Sequence, residues 1–599
     1  MEELKSQIQE LEARIAELPI GYISRKTING KVKLYHQWTE DGKKKSKYLS
    51  DAAAEQLAAQ IAKRRALQEE LKKLKSQLPK EPKPTAKVAE PAFITNVLTG
   101  TALQNYTKMV RGFKKRDCYR RLTRFLQTDA SGKVLILFGL RRTGKTTLIR
   151  QAIRSLSPED FQRTAFIQIQ TGNTLAEINR DMKLLAASGY QYVFLDEVTL
   201  MEDFIEGAAL FSDIYAASGM KIVLSGTDSL GFLFSEDEQL YDRCILLHTT
   251  WIPYREFDRV LGISGIDEYI RYGGTMSLGG KHYNETSTFA TAQSTDEYID
   301  SSIARNIQHS LRYYQAEGHF RSLQALYERN ELTSAINRII EDINHRFTIE
   351  VLTRDFVSHD LGLSARNLRR DREHPTDVLD RIDKEAFTEG LRQALEIRNR
   401  PEQSVKITDA HRTEIKEYLD LLDLTVDIPV ESIPVQEATS FRTAIAQPGM
   451  RYAQAEALIR QLLLDKAFQD ISAVDRAAIC ERILDEIRGR MMEDIVLLET
   501  KMAFPKKQVF KLQFPIGEFD MVIADPAAVT CELYELKHST EAVPEQYRHL
   551  ADPEKCKAAA FRFGEITRKA VIYRGPAGTD GEIEYLNVED YLKSLPTSR

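Results

Sequence analysis

Long apolar runs are missing from this 599-residue chain. None approaches the ~18 apolar residues that a membrane-spanning helix needs, so a spanning helix is excluded. The opening "MEELKSQIQELEARI" is charged and heptad-like and carries no apolar signal core, so export is not expected. Cysteine is scarce: Cys118, Cys244, Cys480, Cys531 and Cys556 are scattered, with no C-x-x-C spacing and no paired histidines nearby. That argues against a disulfide framework or a zinc site and fits a reducing cytoplasm. Charge of one sign is lacking too. A net charge of −5 gives no global attraction for nucleic acid, so any basic surface has to be local.

What is present is the composition of a globular protein, 42% hydrophobic and 29% charged, in a chain too long for one core. At roughly 150 residues per domain, about three to five units are expected. The fold class is multidomain α/β. A helical arm with a basic meander is expected at 1–80, a Pro-rich linker at 81–115, a P-loop ATPase at 116–260, a helical or winged-helix lid at 261–435 and an α/β domain at 436–599.

In the arm, Leu4, Ile8, Leu11, Ile15 and Leu18 alternate at spacings of four and three, the seam of a helix packing on a helical partner. Leu57, Ile61, Leu67, Leu71, Leu74 and Leu78 offer that partner, which predicts an antiparallel pair. Between them, "GYISRKTINGKVKLYHQWTEDGKKKSKYLS" reads as three strands turned at Asn29-Gly30 and Asp41-Gly42. From Arg25 to Lys47, eight Lys/Arg stand against two acids and are interleaved with Tyr35, His36 and Trp38, with Tyr48 just beyond. Such a ribbon can follow phosphates or enter a major groove; the alternative is the solvated face of a dimerisation module. Pro79, Pro82, Pro84 and Pro91 then predict a semi-rigid linker.

From Lys133, the strands "KVLILFGL", "TAFIQIQ", "YVFLDEV", "KIVLSGT" and "RCILLHT" alternate with helices, the pattern of a parallel sheet covered on both faces. "GLRRTGKTT" places Gly139, Gly144, Lys145, Thr146 and Thr147 between a strand and a helix, in G-x-x-x-x-G-K-[ST] register. Glycines let backbone N–H groups close around ATP phosphates, Lys145 reaches the β/γ oxygens and the Thr146 hydroxyl holds Mg²⁺. "YVFLDEV" adds Asp196 as a second Mg²⁺ holder and Glu197 as the group that polarises water. Thr227 is a candidate γ-phosphate sensor, or else a strand-end cap. Arg243 is a candidate arginine finger for a neighbouring subunit in a homo-oligomer, or a plain surface arginine. Further on, "FTIEVLTRDFVSHDLGLSARNLRRDRE" reads as helix, Gly362 turn and helix with Arg366, Arg369 and Arg370, a lid or a DNA reader.

Near the C-terminus, "GEFDMVIADPAAVTCELYELKHS" predicts a hairpin of strands Glu518–Ala524 and Val529–His538. With Ala524 opposite Val529, Asp520 falls opposite Leu533 and diagonal to Glu535, about 7–8 Å away, a gap that Mg²⁺ or Mn²⁺ bridges. Glu535 and Lys537 share a face, so two carboxylates hold the cation while Lys537 acts on water and developing charge. A solvated strand face is the plain alternative.

"GLRRTGKTTLI", "FLDEV", "VLSGTDS", "WIPYREF" and "YIRYGG", in that order, resemble the archaeal and bacterial ATP-binding proteins that pair an AAA-like ATPase with a C-terminal restriction-endonuclease-like, PD-(D/E)xK, domain. The resemblance runs from about Leu122 to the C-terminus and leaves the arm and linker outside. It implies that "GEFD…ELK" is the D…ExK signature of a nuclease and that Glu493, on the preceding helix, approaches the same metal. Thr227 stands where that family commonly has serine. The expected function is therefore ATP hydrolysis coupled to metal-dependent cleavage of nucleic acid, DNA before RNA, in defence against or mobilisation of foreign DNA. A switch or scaffold under ATP control, with a terminal fold that only binds, is the rival.

Overall fold

The computed structural model describes residues 11, 14–15, 18–28, 31–40, 43–77, 93–128, 132–201, 203–227, 242–276, 292–313, 320–351, 406–435, 440–463 and 472–597. Two units emerge, Met1–Ala92 and Phe93–Arg599. Among the described residues no helix is long and apolar enough to cross a membrane.

The first unit is the expected meander on a helix. Strands β1 (Tyr22–Ile28), β2 (Lys31–Glu40) and β3 (Lys43–Leu49) pair antiparallel in sequence order. Helix α1 (Asp51–Gln77) follows, and Leu67 closes on Leu11 and Ile15, so these three seam residues are buried together. The Arg64 guanidinium donates to the carbonyls of Ile15 and Leu18, satisfying groups a helix end leaves open. The turn residues Asn29, Gly30, Asp41 and Gly42, and the proline segment 78–92, lie outside the described residues.

The second unit starts earlier than expected. The linker placed at 81–115 is corrected from Phe93 onward. Strand β4 (Asn96–Leu98) pairs antiparallel with the sheet edge, the N–H groups of Ile94 and Thr95 bond Asp181, and α2 (Gly100–Thr107) covers one face. A three-residue strand carries too little periodicity to be read from sequence.

The strands β5 (Val134–Phe138), β6 (Thr164–Gln168), β7 (Tyr192–Asp196), β8 (Lys221–Gly226) and β9 (Cys244–His248) are parallel, in the order β4-β6-β7-β8-β5-β9. Every residue of β5 is buried, as continuous apolar runs between two helical layers require. Helix α3 (Lys145–Arg154) leaves the loop after β5 and sends Leu148, Ile149, Ala152 and Ile153 into the core under that sheet.

Beyond the sheet comes α4 (Tyr254–Leu261), and Trp251, Tyr254, Phe257 and Tyr269 pack in the core of the C-terminal sheet. The described part of the segment expected as a lid, up to Val351 and again from Asp409 to Leu421, is mainly helical. Its helices, including α5 (Leu332–Glu350), gather around Ile303, Ile336 and Tyr418. The winged-helix expectation, with Gly362, Arg366, Arg369 and Arg370, lies beyond Val351, outside the described residues.

The boundary at 435/436 is also corrected. It would separate β10 (Thr425–Ser432) from β11 (Ser440–Ile445), which pair from Thr425↔Ile445 to Val430↔Ser440. Both belong to the C-terminal sheet, because β10 runs parallel beside β12 (Gln508–Gln513), a pairing across a long stretch of chain. Helices α6 (Pro448–Leu462) and α7 (Ala473–Ala503) cross one face, α7 starting at a Ser472 cap on the Asp475 N–H. Strands β13 (Glu518–Asp525), β14 (Thr530–Lys537) and β15 (Glu565–Tyr573) continue the sheet, with α8 (Pro553–Phe563) packed on β14 and β15, and β16 (Gly578–Asp580) and β17 (Ile583–Asn587) close its edge.

Candidate active sites

The first site forms where β5 ends. Gly144 caps α3 at φ 91°, a conformation open to glycine, and a Cβ there would lie 2.6 Å from Met276 Sδ. Lys145 is buried, and its ammonium donates to the carbonyls of Gly139 (2.8 Å) and Leu140 (2.9 Å) within the loop. Burial pushes that ammonium down from its usual range, against the pull of Glu197 and Asp196. Thr146 donates its hydroxyl to Asp196 Oδ2 at 2.9 Å, so the two expected Mg²⁺ holders meet although 50 residues separate them. Thr147 is half-buried on the first helical turn, where N–H groups have no intrahelical acceptor.

Glu197 stands just past β7 with φ 60°, an uncommon left-handed conformation for a residue with a side chain. Thr227 donates to its two carboxylate oxygens at 3.0 and 3.2 Å, which fixes that carboxylate over the loop end of the sheet. Thr227 thus joins the site through Glu197. Arg243 does not reach it. It precedes β9 at the opposite end of the strands, where it pairs with Asp213 at 3.1 Å.

Two residues escaped the sequence reading. Ser225 donates to Asp196 Oδ1, and its signal was a lone hydroxyl inside an apolar strand. Arg116 is 5% exposed; it pairs with Glu256 and donates to the carbonyls of Thr143 (2.7 Å) and Trp251 (3.0 Å), bracing the phosphate loop from below. The segment 273–276 braces the other side: Met276 N–H donates to Arg142 O at 2.8 Å, while Gly449 at the start of α6 donates to Gly273 O at 3.3 Å.

The second site lies on β13 and β14. Its register moves each residue's partner two places from the expected one: Asp525 pairs with Thr530 and Met521 with Tyr534, and one step further in that register sets Asp520 beside Glu535, whose oxygens share the Lys537 ammonium. Asp520 is therefore directly opposite Glu535, closer than the expected diagonal. The turn is Pro526–Val529, pinned by the Asp525 carboxylate accepting from the N–H groups of Ala527 and Ala528 at 3.1 Å.

Asp520 and Glu535 are 5% and 2% exposed. Lys537 Nζ donates to Asp520 Oδ2 at 2.9 Å and Glu535 Oε2 at 2.8 Å, and the Leu536 N–H also donates to Asp520 Oδ2. Burial pushes the Asp520 carboxyl up, but Lys537 and Lys511 overcome it and hold the group well below the usual carboxylate range. Burial, reinforced by the neighbouring Asp520 charge, drives Glu535 the other way, well above that range. Lys537 keeps its proton: burial opposes the charge, and the two carboxylates raise its affinity well above the usual range.

Glu493 reaches this group indirectly. It shares the Lys511 ammonium with Glu518 and Asp520, at 3.2, 3.1 and 3.8 Å, and also accepts from Arg490 at 2.7 Å. Among the described residues, no three carboxylate, histidine or cysteine side chains gather as a metal cage, and Glu493, expected as a third ligand, pairs with Lys511. The pair itself suits a divalent cation: Glu535 Oε1 is buried without a hydrogen-bond partner, and two acids forced together are relieved by added positive charge. Lys511 was missed too, although a lysine 3% exposed inside the strand "QVFKLQ" requires acid partners.

On the meander, Trp38 pairs with Lys45 and His36 with Lys47 across β2 and β3, and the two rings stack at 4.6 Å. Lys45 and Lys47 are exposed, so one face of the ribbon carries aromatic planes beside cations.

Residues 131–258 match the family model of an AAA domain, and residues 1–59 that of a domain of unknown function. No curated protein matches the chain. Among solved structures, the Aeropyrum pernix ORC1 protein in complex with DNA is 14% identical over 58% of this chain and 93% of its own, with a TM-score of 0.20. AMPPCP-bound DnaA from Aquifex aeolicus is 13% identical over 52% and 97%, with a TM-score of 0.20. C. elegans PCH-2 is 11% identical over 37% and 64%, at 0.18. Overlaps that loose carry no argument. The parallel sheet, the phosphate loop and the family match at 131–258 make this region an AAA-like P-loop ATPase domain.

Proposed function

We propose that the chain binds and hydrolyses ATP in the loop Gly139–Thr147 and couples it to metal-dependent cleavage of nucleic acid, DNA in the first instance, at Asp520, Glu535 and Lys537. The observation that carries the second half is the pair of buried carboxylates side by side under one ammonium group, one of them with an orphan oxygen. The exposed cations and stacked rings of β2 and β3 supply a surface for a nucleic-acid strand. Defence against, or mobilisation of, foreign DNA is the setting we attach to it, with a homo-oligomer in which half-exposed Arg243 serves a neighbouring copy.

At the first site, Lys145 turns from the loop carbonyls to phosphate oxygens, joined by N–H groups of the first turn of α3. Thr146 and Asp196 hold Mg²⁺, which when bound shields the charge of the β- and γ-phosphates. Glu197, steadied by Thr227, orients and polarises the attacking water.

At the second site, Asp520 and Glu535 hold Mg²⁺ or Mn²⁺, which when bound supplies charge for a phosphodiester oxygen and lowers the pKa of water. Lys537 stays protonated and steadies negative charge as water adds to phosphorus and the P–O bond to the leaving strand breaks. The test is cleavage of labelled DNA and RNA by the full chain with Mg²⁺ or Mn²⁺, with and without ATP. Cleavage that disappears in Glu535→Gln supports the reading. A wild type that cuts nothing in any nucleotide state leaves an ATP-controlled scaffold in its place.

A further inference from the structure

A cavity of about 330 Å³ lies beside the carboxylate pair and belongs to neither site described above. Helix α5 contributes Arg346, β11 Phe441 and Arg442, α6 Arg451, α7 Arg490 and β12 Lys511. Five of these are cations, against two lining acids, Glu350 and Glu518. Acids in and behind the wall absorb most of the charge: Arg451 and Arg442 pair with Asp494 at 2.7 and 2.6 Å, Arg490 with Glu493 at 2.7 Å, and Lys511 with Glu493 and Glu518 at 3.2 and 3.1 Å. Donors are left over all the same. Arg442 Nη1, 3.6 Å from Glu493 Oε2, and Arg451 Nε are buried without hydrogen-bond partners, on side chains 11% and 3% exposed. Arg346, exposed on α5 at the cavity and without an ion pair among the described residues, leaves the lining one uncompensated guanidinium for an anion with several acceptor oxygens.

We infer that this cavity binds a phosphate group of a nucleic-acid strand, next to the phosphodiester presented to Asp520 and Glu535. The inference rests on the reading of that pair as a cleavage site. Lys511 joins the two places, lining the cavity while its ammonium lies 3.8 Å from Asp520 Oδ1. Phe441, 59% exposed at the cavity, offers a ring on which a base stacks. A tetrahedral phosphate matches guanidinium donors two at a time.

The test uses the full chain in EDTA, so that nothing is cut, and reads anisotropy of a short fluorescein-labelled single strand across a salt series. Arg346 is exposed and has no ion pair or hydrogen bond among the described residues, so Arg346→Glu leaves the fold intact. It is expected to weaken binding several-fold and to flatten the salt slope by about 0.7 for the lost contact. Phe441→Ala is expected to weaken binding with no change in slope. Calorimetry with AMP separates the sources: AMP heat lost in Arg346→Glu without an effect on strand binding assigns the same phosphate site to a free nucleotide. Wild-type strand and AMP binding in Arg346→Glu overturns the inference. Should strand binding depend on Arg346 while the wild type cuts nothing with Mg²⁺ or Mn²⁺, the cavity stands and the cleavage reading fails. Should the wild type cut and Arg346→Glu bind and cut equally, the cavity fails alone.

Discussion

Glu499 on α7 joins the segment after the ATPase sheet to the C-terminal core, and its protonation sets how firmly. The carboxylate is 3% exposed, Oε1 accepts the Tyr254 N–H at 2.7 Å and Oε2 is buried without a partner. Burial raises its pKa from 4.5 to about 7, against the Tyr254 N–H and Arg255, which favour the charged form. The fold therefore prefers the protonated acid. Below pH 4.5 folded and unfolded chains are both protonated and the group is neutral to stability. As pH rises from 4.5 to 7 only the unfolded chain ionises freely, so stability falls, and above 7 the loss is constant. A gap of about 2.5 units at 1.36 kcal/mol each gives a loss of order 3 kcal/mol. Glu499→Gln cannot ionise and keeps an acceptor for Tyr254, though its amide N–H groups can cost ~1 kcal/mol at any pH. The check is thermal unfolding of wild type and Glu499→Gln at pH 5 and pH 8, where the pH-independent cost cancels in the difference. The variant should gain stability relative to wild type on going to pH 8. An identical difference at both pH values would refute the buried-acid reasoning.

Lys145→Ala should abolish ATP binding, while Glu197→Gln should bind ATP and hydrolyse it ~10²–10⁴-fold more slowly, by calorimetry and phosphate release; wild-type turnover in Glu197→Gln would show the water-polarising assignment to be wrong. Gly274→Ala should lower the melting temperature, because φ is +103° and a Cβ there lies 2.6 Å from the Gln447 Cα, a backbone atom that cannot swing aside; unchanged melting would contradict the clamp between segment 273–276 and α6. Reversing Lys43, Lys44, Lys45 and Lys47 to Glu should weaken DNA binding and flatten its salt dependence, and an unchanged slope would make the meander a dimerisation module.

The phosphate loop, Asp196 and Glu197 were legible because their geometry is local: a buried apolar strand ends, and the residues at its carboxyl end are the site. Meeting of Thr146 and Asp196 followed from the parallel sheet alone. The hairpin face was legible by alternation, but its register was not. Val529 takes φ 55°, which a β-branched residue rarely adopts, and the Asp525 carboxylate closes the turn one residue later than expected. The β10 to β12 pairing, the Arg116 brace and the Lys511 bridge join residues far apart in sequence, so no window of the chain could display them. Arg243 stands away from its own chain's loop, because parallel topology puts that end of β9 at the opposite edge of the sheet, so its expected role as a finger concerns a neighbouring copy.

The central claim is that Asp520 and Glu535 form a metal site, and calorimetric titration of the nucleotide-free full chain with Mn²⁺ tests it most directly. Wild type and Lys537→Ala should both bind Mn²⁺, because Lys537 is no ligand. Asp520→Asn and Glu535→Gln should each lose that binding, because one remaining carboxylate cannot hold the cation against water. Mn²⁺ binding that is absent in the wild type, or unchanged in both carboxylate variants, would contradict the claim and leave the buried pair as a structural ion-pair cluster.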